Sequence, residues 1–595
     1  MAITKTNFIN FSRCPRYVAL SEIKKDKLNA DITYEEYLEE ELEYKLKDVL
    51  SNMYEEDEDL IDVVNPQLEV MMKYYKEVEI LAGKKVSKIF SNKTTYGEST
   101  FSQKSFEFQN GFFKYLCYVD IYNEDKNVIE VKATTSKKFL DLVGGKEKVS
   151  IFYKSGEIYK LKNFNKDDMD EKTYNKLISK LKDKYSTVGK YVYDLSVQRF
   201  FAENSNNKDM KYYLAVLNHE YVFDGNYIDN KPDYKDDIIS IFDFTDITYS
   251  MLETIKEDML KIEKYLLTMD ASECKLGDYC EYKKPTECKF KKVCFSMIPK
   301  SNSSLNYMNN GFGFKDENGV VYKKLDLINN KYINMLDVPI EWIKNPNHII
   351  QRDALENNTP YINKEKIKLA LNELKYPIYH LDFETFPCPL PRFYNEKCYS
   401  QSVFQFSLHI EREENKCDKD KDHYEYLSND FNKDIRKEIA EKLCEYIDPS
   451  KGTLFAQNVS FEKNIIKTLS ETFPEYKEKL NKMLDIAYDL LYIVRGNTKF
   501  YLENNYSEVE SKIVNYYHKD LSGSYSLKKT LSVFSNLKYE DLDVKNGVEA
   551  LVTYASFLKM SKKEFEIKFK SLLEYCKMDT YAMVAILQRL RELVM

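Results

Sequence analysis

Residues 379–384 alternate apolar and polar side chains, and this pattern strongly constrains the fold of the C-terminal part of the chain. Successive side chains of a β-strand point to opposite faces, so the pattern predicts a strand with Tyr379, Leu381 and Phe383 on one face. Asp382 and Glu384 then share the opposite face. Taken alone, two solvated acids on a half-buried strand are the simpler interpretation.

Two later segments add further acidic residues. Residues 453–462 indicate a strand that runs into a helix, with Glu462 in the first helical turn, where a carboxylate also complements the helix dipole. Residues 571–591 predict a helix on which Tyr575 and Asp579 share one face, because they are four residues apart. We expect the three segments to meet in one α/β domain, since a two-metal phosphodiesterase needs convergent acidic ligands.

These segments resemble the DnaQ-like exonucleases of the DEDD group, which have a ribonuclease H fold, and the resemblance covers residues 373–595. The acid of the second motif is Glu462, where the family usually has Asp. The positions that match the three motifs in order are Asp382 and Glu384, then Asn458, Phe461 and Glu462, then Tyr575 and Asp579.

That resemblance implies a function for each matched position. Asp382, Glu384 and Asp579 are expected to bind two Mg²⁺ or Mn²⁺ ions, with Glu462 as a further acid of the catalytic set. Tyr575 is expected to orient the attacking water. The implied reaction is the removal of nucleotides from a 3′ end. Arg392, Lys528 and Lys529 are candidate phosphate contacts, and a basic surface explains each of them equally well.

The N-terminal half contains a second acidic set. Residues 112–122 and 127–135 predict a β-hairpin with its turn at 123–126. Glu130 and Lys132 project from one face of the second strand, and Asp120 on the first strand can meet them. The two carboxylates would hold a divalent cation, and Lys132 would orient the nucleophile and offset charge on the phosphate. A charged outer face is the alternative, but the apolar flanks favour a central hairpin.

This hairpin resembles the PD-(D/E)xK nuclease core of the RecB type, with Asp120, Glu130 and Lys132 at the motif positions. Gln198, four residues after Asp194 on a predicted helix, stands where RecB-type nucleases carry a Gln. Three features depart from the pattern or stay open: Val119 replaces the usual Pro, Ala202 replaces an expected aromatic residue, and the upstream acid is either Glu77 or Glu79.

Four cysteines, Cys274, Cys280, Cys288 and Cys294, fall within a polar loop segment. Crowded thiolates of this kind usually bind a metal, and a Cys₄ Zn²⁺ site is one interpretation. RecB-like nucleases of the AddB type hold a [4Fe–4S] cluster with one N-terminal and three C-terminal cysteines. That resemblance implies Cys14, Cys280, Cys288 and Cys294 as ligands, while zinc, or Cys274 as a ligand, stays open. The other cysteines, Cys576 included, are predicted to be ordinary thiols.

The composition limits the class of protein. A chain of 595 residues is too long for one core, and its net charge of −8 gives no global basic field. No run approaches the ~20 apolar residues of a membrane span, and the N-terminus lacks the apolar core of a signal peptide. We therefore expect a cytoplasmic protein with no membrane association and with reduced or metal-bound cysteines.

The predicted architecture is α/β, with a PD-(D/E)xK restriction-endonuclease-like domain at 1–300, a connector at 301–372 and a ribonuclease H-like domain at 373–595. The order of motifs along nearly the whole chain resembles a bacterial family filed as a domain of unknown function. The expected activity is a metal-dependent nuclease acting on nucleic acid, with DNA favoured by family analogy and a role in repair, recombination or defence. The alternatives are an RNA-processing exonuclease, or a nucleic-acid-binding protein whose nuclease folds no longer cut, which Glu462 and Ala202 favour.

Overall fold

The computed structural model describes residues 2–28, 65–97, 102–268, 274–277, 280, 288–539 and 542–595. The sequence also predicts helical, highly charged segments around 34–90, and their part between 34 and 64 lies outside the described residues. The chain divides into two compact units, and each is a mixed α/β arrangement with open sheets. Of the described residues, unit 1 contains 2–28, 65–97, 102–268, 274–277, 280, 288–290 and 387–400, and unit 2 contains 291–386, 401–539 and 542–595.

The main sheet of unit 1 has the strand order β2-β5-β6-β11-β14-β10-β9 among the described residues. Strand β6 pairs antiparallel with β5 and parallel with β11, and all its residues except the last are buried. A continuously buried strand is typical of a sheet covered on both faces. The strands of unit 1 are β1 (Ala2–Thr4), β2 (Thr94–Thr95), β3 (Ser105–Asn110), β4 (Phe113–Tyr118), β5 (Ile121–Asn123), β6 (Asn127–Thr135), β7 (Val143–Gly144), β8 (Val149–Ser150), β9 (Phe152–Ser155), β10 (Ile158–Leu161), β11 (Lys211–Leu217), β12 (Tyr227–Ile228), β13 (Lys231–Pro232) and β14 (Ile239–Asp243).

Helices pack against these strands around an aromatic-rich core. The helix predicted to carry Asp194 and Gln198 is present at Gly189–Asn204, and its residues from Tyr191 to Ala202 are all buried. Phe8 at the N-terminus contacts Phe201 of this helix edge to face, with ring centroids 5.5 Å apart. The helices of unit 1 are α1 (Lys5–Arg13), α2 (Pro15–Leu28), α3 (Asn65–Ile89), α4 (Lys137–Leu140), α5 (Glu171–Lys182), α6 (Gly189–Asn204), α7 (Thr245–Tyr249) and α8 (Leu252–Thr268).

The first strand of the predicted hairpin is interrupted, which corrects the prediction of one strand over 112–122. Strand β4 pairs with β1 and β3 in a separate three-stranded sheet, and only β5 pairs with β6. Val119 and Asp120 lie at the corner between the two sheets. Both strands have apolar alternation, so periodicity alone does not show that the chain changes sheets between them.

A segment from the middle of the chain completes unit 1. Residues 387–400 follow the strand that carries Asp382 and Glu384, yet they belong to unit 1. The Phe223 N–H donates to the Glu396 carbonyl at 2.9 Å, and the Tyr234 hydroxyl donates to the Pro391 carbonyl at 2.9 Å. The Tyr399 hydroxyl donates to the carbonyl of Ala133 on β6. Arg392, predicted as a phosphate contact of the C-terminal domain, therefore lies buried in unit 1.

The main sheet of unit 2 has the order β20-β19-β18-β21-β22, with the acidic strand β18 in the middle. Strand β18 is parallel to β21, and β21 is parallel to β22, whereas β19 and β20 form an antiparallel ribbon. The strands of unit 2 are β15 (Phe314–Lys315), β16 (Val321–Tyr322), β17 (Tyr361–Ile362), β18 (Ile378–Pro387), β19 (Gln401–Glu411), β20 (His423–Leu427), β21 (Thr453–Ala456), β22 (Ala487–Asp489) and β23 (Tyr516–Tyr517).

The predicted connector at 301–372 is a packed part of unit 2 with its own small apolar cluster, in which Trp342 stacks on Tyr322 at a centroid distance of 4.9 Å. No helix of the described residues is both long and apolar enough to cross a bilayer. The helices of unit 2 are α9 (Lys291–Cys294), α10 (Lys324–Asn329), α11 (Pro346–Glu356), α12 (Lys364–Leu371), α13 (Arg436–Tyr446), α14 (Ser460–Thr472), α15 (Lys477–Asp485), α16 (Leu490–Val494), α17 (Thr498–Glu503), α18 (Glu508–Lys512), α19 (Leu527–Phe534), α20 (Gly547–Ser556) and α21 (Lys562–Val594).

Candidate functional site

Strand β18 presents two acids on one face, as the alternating pattern predicts. Tyr379, Leu381 and Phe383 are buried in the main core of unit 2. Asp382 and Glu384 point to the opposite face and are half-buried. The apolar face fixes the register of the strand, because a slip of one residue would exchange the two faces.

Helix α21 brings three more side chains to this face. Tyr575 and Asp579 lie one turn apart and are 4% and 6% exposed. The Cys576 thiol donates to Asp382 Oδ2 at 3.4 Å, and ligand atoms of Asp382, Glu384 and Cys576 all lie within 4.8 Å of one another. The structure therefore brings the first and third predicted motifs together. Cys576, predicted to be an ordinary thiol, is a contact of the acidic set.

Burial dominates the electrostatics of this set, and repulsion between carboxylates adds to it at Asp382 and Glu384. Burial, and then repulsion by Asp579, raise the pKa of Asp382 well above its ordinary value. Burial followed by repulsion from Asp382 and Asp579 does the same for the pKa of Glu384. Burial raises the pKa of Asp579 to about 6, although hydrogen bonds from Tyr539 and Tyr575 and the charge of Lys528 oppose the shift. Such a set favours a bound cation.

Two more residues lie beside these acids, and the sequence analysis identified only one of them, Lys528. Tyr539 donates from its hydroxyl to Asp579 Oδ1 at 2.5 Å and is 8% exposed. No motif or periodicity distinguishes it among the 49 tyrosines of the chain. Lys528, predicted as a phosphate contact, lies over the rings of Tyr539 and Tyr575 at 5.2 and 5.9 Å. Its charge lowers the pKa of Glu384 and Asp579, so it faces the acidic set.

The second predicted motif has a structural explanation of its own. Asn458 has a φ of 60°, a left-handed conformation that Asn tolerates better than most residues. The N–H groups of Asn458 and Val459 donate to the two carboxylate oxygens of Asp489 at 3.0 and 3.1 Å. Glu462 follows in the first turn of α14 and is 3% exposed. It is not among the groups that shift the pKa of Asp382, so its place in the catalytic set stays a prediction.

Unit 1 contains a buried cluster of alternating charges. The Lys132 ammonium lies 2.7 Å from Glu130 Oε1 and 2.6 Å from Asp194 Oδ2. The Lys5 ammonium lies 2.9 Å from the same Glu130 oxygen and 3.1 Å from Asp194 Oδ1. Gln198 donates to Glu130 Oε2 at 2.5 Å, so the predicted Gln198 does join the set. Sequence reasoning missed Lys5, which is 125 residues from Glu130 and carries no motif.

Asp120 and an upstream acid flank this cluster. Asp120 Oδ2 accepts the Val131 N–H at 2.9 Å and is 6% exposed. Tyr75 of α3 donates to the Val131 carbonyl at 2.8 Å. Burial, then the charge of Asp120, and further the charge of Glu79, raise the pKa of Tyr75. Of the two upstream acids left open by the sequence, Glu79 is therefore the one that lies near this cluster.

The two acidic sets differ in their fit to a divalent cation. Burial tends to raise the pKa of Glu130, but the charges of Lys132 and Lys5 outweigh it and hold that pKa below its ordinary value. Both carboxylate oxygens of Glu130 already accept from side chains of unit 1. Asp382, Glu384 and Asp579 fit a cation better, because they repel one another and have hard oxygen ligands.

The cysteine cluster is partly described. Cys14 Sγ and Cys274 Sγ are 3.8 Å apart, and Arg16 donates to the Cys274 carbonyl at 2.7 Å. The Cys274 and Cys280 thiols both raise the pKa of Cys14. A tetrahedral Zn²⁺ with bonds of about 2.3 Å separates neighbouring sulphurs by about 3.8 Å, so Cys14 and Cys274 fit one such ion.

The remaining predicted cysteine ligands fall on either side of the unit boundary. The segment of Cys288 lies beside α2, because Phe290 meets Tyr17 edge to face at 4.9 Å. Cys294 ends helix α9, which belongs to unit 2. The described part of the loop thus places Cys14, Cys274 and Cys280 together in unit 1.

Residues 379–526 match a family described as a domain of unknown function, DUF2779. An uncharacterised protein of Mycoplasma genitalium is 28% identical over 249 residues, which cover 38% of this chain and 34% of that protein. This chain therefore spans about a third of the length of that curated relative. No solved structure matches the chain. The segment similar to DUF2779 proteins begins at the acidic strand and includes Asp382, Glu384 and Glu462.

Proposed function

We propose that this chain is a metal-dependent nuclease that hydrolyses phosphodiester bonds of nucleic acid. Unit 2 would carry a 3′–5′ exonuclease site, and unit 1 would carry a RecB-like nuclease site. The observation that carries the proposal is the meeting of Asp382 and Glu384 with helix α21, where Cys576 joins their ligand group and the charge of Asp579 raises the pKa of both acids. The mid-sheet position of β18 is compatible with the proposed ribonuclease H-like architecture.

Each side chain of the unit 2 site has a chemical part in this proposal. Asp382, Glu384 and Asp579 would hold Mg²⁺ or Mn²⁺. When bound, a pair of such ions activates a water and stabilises the leaving oxygen of a phosphodiester. Tyr539 orients the Asp579 carboxylate through its 2.5 Å hydrogen bond, and Tyr575 is placed beside the same acid to position a water.

Lys528 supplies positive charge at the edge of this acidic set. Its ammonium lies over two tyrosine rings and donates to the Lys545 carbonyl at 2.5 Å, and these contacts keep it in place. An ammonium held this way favours an approaching phosphate by charge. The neighbouring aromatic rings are suited to base stacking, which is tolerant of sequence.

The site in unit 1 is proposed as a second nuclease centre of the PD-(D/E)xK type. Lys132 and Gln198 both contact Glu130, and Asp120 accepts the Val131 N–H between Glu130 and Lys132. Lys132 would offset charge on the phosphate during attack. DNA is the proposed substrate, and a cytoplasmic role in repair, recombination or defence belongs to the same proposal.

The cysteines Cys14, Cys274 and Cys280 are proposed to hold a structural metal in unit 1. The 3.8 Å separation of the first two sulphurs supports Zn²⁺ as the bound species. An iron–sulphur cluster, implied by the family resemblance, would instead give iron and acid-labile sulphide on chemical analysis.

End-labelled and circular DNA and RNA, incubated with Mg²⁺ or Mn²⁺, test the proposal. Asp382→Ala should abolish trimming from 3′ ends and retain internal cutting, while Lys132→Ala should do the reverse. The exposed residues Glu478 in unit 2 and Lys172 in unit 1 supply control variants to Ala that should keep both activities. Melting curves of all variants verify folding.

Each other outcome of this assay has a definite meaning. Trimming of RNA but not DNA would establish the RNA-processing alternative. Binding of nucleic acid without any cutting would establish a binding protein. Cutting that survives both Asp382→Ala and Lys132→Ala would refute the assigned sites.

A further inference from the structure

Lys5 contacts two acids of the unit 1 site and is assigned no function by the motifs. It is the first residue of α1, where Thr4 caps the helix by accepting the Asn7 N–H at 3.1 Å. The Lys5 side chain is 9% exposed, and its ammonium bridges Glu130 and Asp194. Lys132 bridges the same two carboxylates from the other direction. The four charged groups therefore form a closed ring.

This ring is electrically neutral before any metal arrives. Glu130 and Asp194 contribute two negative charges, and Lys5 and Lys132 contribute two positive charges. Glu130 Oε1 accepts from both ammonium groups, and Glu130 Oε2 accepts from Gln198. A divalent cation that bridges Glu130 and Asp194 needs the position between these two carboxylates that an ammonium occupies.

Lys5 is the donor that the structure allows to leave most readily. Lys132 stands two residues from Glu130 on the same face of the buried strand β6, so the strand itself holds the two side chains beside each other. Lys5 belongs to a different element and carries its compact charge on a flexible four-carbon stem. Withdrawal of its ammonium leaves the ring with one net negative charge, to which Asp120 nearby adds another.

We propose that Lys5 is a positioning residue that occupies the cation position on Glu130 and Asp194 and is displaced when a divalent cation binds. In the metal-free protein, the positive charge of Lys5 thereby offsets the repulsion between the Glu130 and Asp194 carboxylates. It also lowers the affinity of unit 1 for divalent cations, because each binding event has to break two buried ion pairs. This inference rests on the proposed cation chemistry of unit 1, although its tests do not depend on nucleic-acid cutting.

Chemical labelling of the wild-type protein tests the displacement directly. Acetylation of lysines by an N-hydroxysuccinimide ester is followed by mass spectrometry with and without Mn²⁺. Acetylation of Lys5 should become at least about fivefold faster when Mn²⁺ is bound. Lys85 is the matched control, since it is also buried in unit 1 and paired with an acid, Glu157, at 2.6 Å. Unchanged protection of Lys5 in Mn²⁺-loaded protein would overturn the proposal.

Cation affinity supplies an independent test on the full-length chain. Free Mn²⁺ is measured by electron paramagnetic resonance, and the unit 1 site is the component lost in Glu130→Gln. Lys5→Met, which keeps the stem and removes the charge, should lower the dissociation constant of that component at least about tenfold. Lys5→Arg should retain weak binding. Equal or weaker binding in Lys5→Met would overturn the proposal. If that variant does not fold, the labelling of the wild-type protein is the test that decides.

The result separates this inference from the proposed nuclease activity. Tighter Mn²⁺ binding by Lys5→Met with no cutting by any form of the protein would support the inference and refute the nuclease. Cutting that depends on Lys132, with unchanged Mn²⁺ affinity in Lys5→Met, would refute the inference and leave the nuclease standing.

Discussion

Asp579→Asn removes one charge from the acidic set of unit 2 and keeps the shape of the side chain. The pKa of Asp579 is raised from 3.8 to about 6, so its ionised form is disfavoured in the folded protein. Stability from this group is therefore present below about pH 4 and is lost as the pH rises through about 6. A shift of about two units corresponds to about 3 kcal/mol, because each unit is worth 1.36 kcal/mol.

In a chelator at pH 8, Asp579→Asn should therefore melt above the wild-type protein. For a unit of nearly 300 residues, about 3 kcal/mol corresponds to a change on the order of 5 °C in the melting temperature. The difference between variant and wild type should shrink as the pH falls from 8 to 5. Differential scanning calorimetry of the unit 2 transition measures it. The exposed Asp485 supplies the control variant, Asp485→Asn, which should show no such pH-dependent gain.

Divalent cations should reverse the order of stability. Mn²⁺ should raise the melting temperature of the wild-type protein, because a ligand that binds only the folded state stabilises it. Asp579→Asn should gain less, since it has lost a cation ligand. Two results would contradict this reasoning: the variant melts below wild type in chelator at pH 8, or the difference in melting temperature is the same at pH 5 and pH 8. Either would show that the buried charge of Asp579 does not destabilise the folded protein.

Two further predictions concern the interior of each unit. Arg591→Met should destabilise unit 2 by about 3–5 kcal/mol in urea unfolding, because the buried Glu411, 1% exposed, loses the Arg591 guanidinium that lies 2.6 Å from it. An effect below about 1 kcal/mol would show that His380 alone compensates the charge of Glu411. Cys274→Ser should remove one equivalent of bound zinc in elemental analysis, while Cys444→Ser should not. Full retention of zinc in Cys274→Ser would exclude Cys274 as a ligand.

Local patterns predicted those parts of the structure that depend on neighbours in the sequence. The alternation at 379–384 gave the correct faces of β18, because one face is buried throughout. The i, i+4 spacing gave the shared face of Tyr575 and Asp579, although α21 begins at Lys562, nine residues before the predicted start. The central position of β6 followed from its apolar flanks.

Features that depend on distant parts of the chain were not predictable in this way. Lys5 meets Glu130 across 125 residues, and a single Lys at a helix start carries no periodic signal. No periodicity of the sequence distinguishes Tyr539 or Cys576, so only the fold shows that both contact the acidic set. The chain passes from one sheet to the other at Val119, and residues 387–400 belong to unit 1. Neither feature has a signal in the alternation or composition of the local sequence.

The discontinuity of unit 1 has a consequence for biosynthesis. Its last long stretch ends at Phe290, but Pro387–Ser400 is needed to satisfy backbone groups such as the Phe223 N–H. At about 5–20 residues per second, a ribosome needs roughly 5–20 s to translate residues 291–386, which lie between these two parts of unit 1. During that interval the backbone groups that pair with 387–400 are exposed in the nascent N-terminal half, which is then vulnerable to proteases and in need of chaperones. A gene fragment that stops at codon 290 encodes a polypeptide in which these backbone groups never gain their partners.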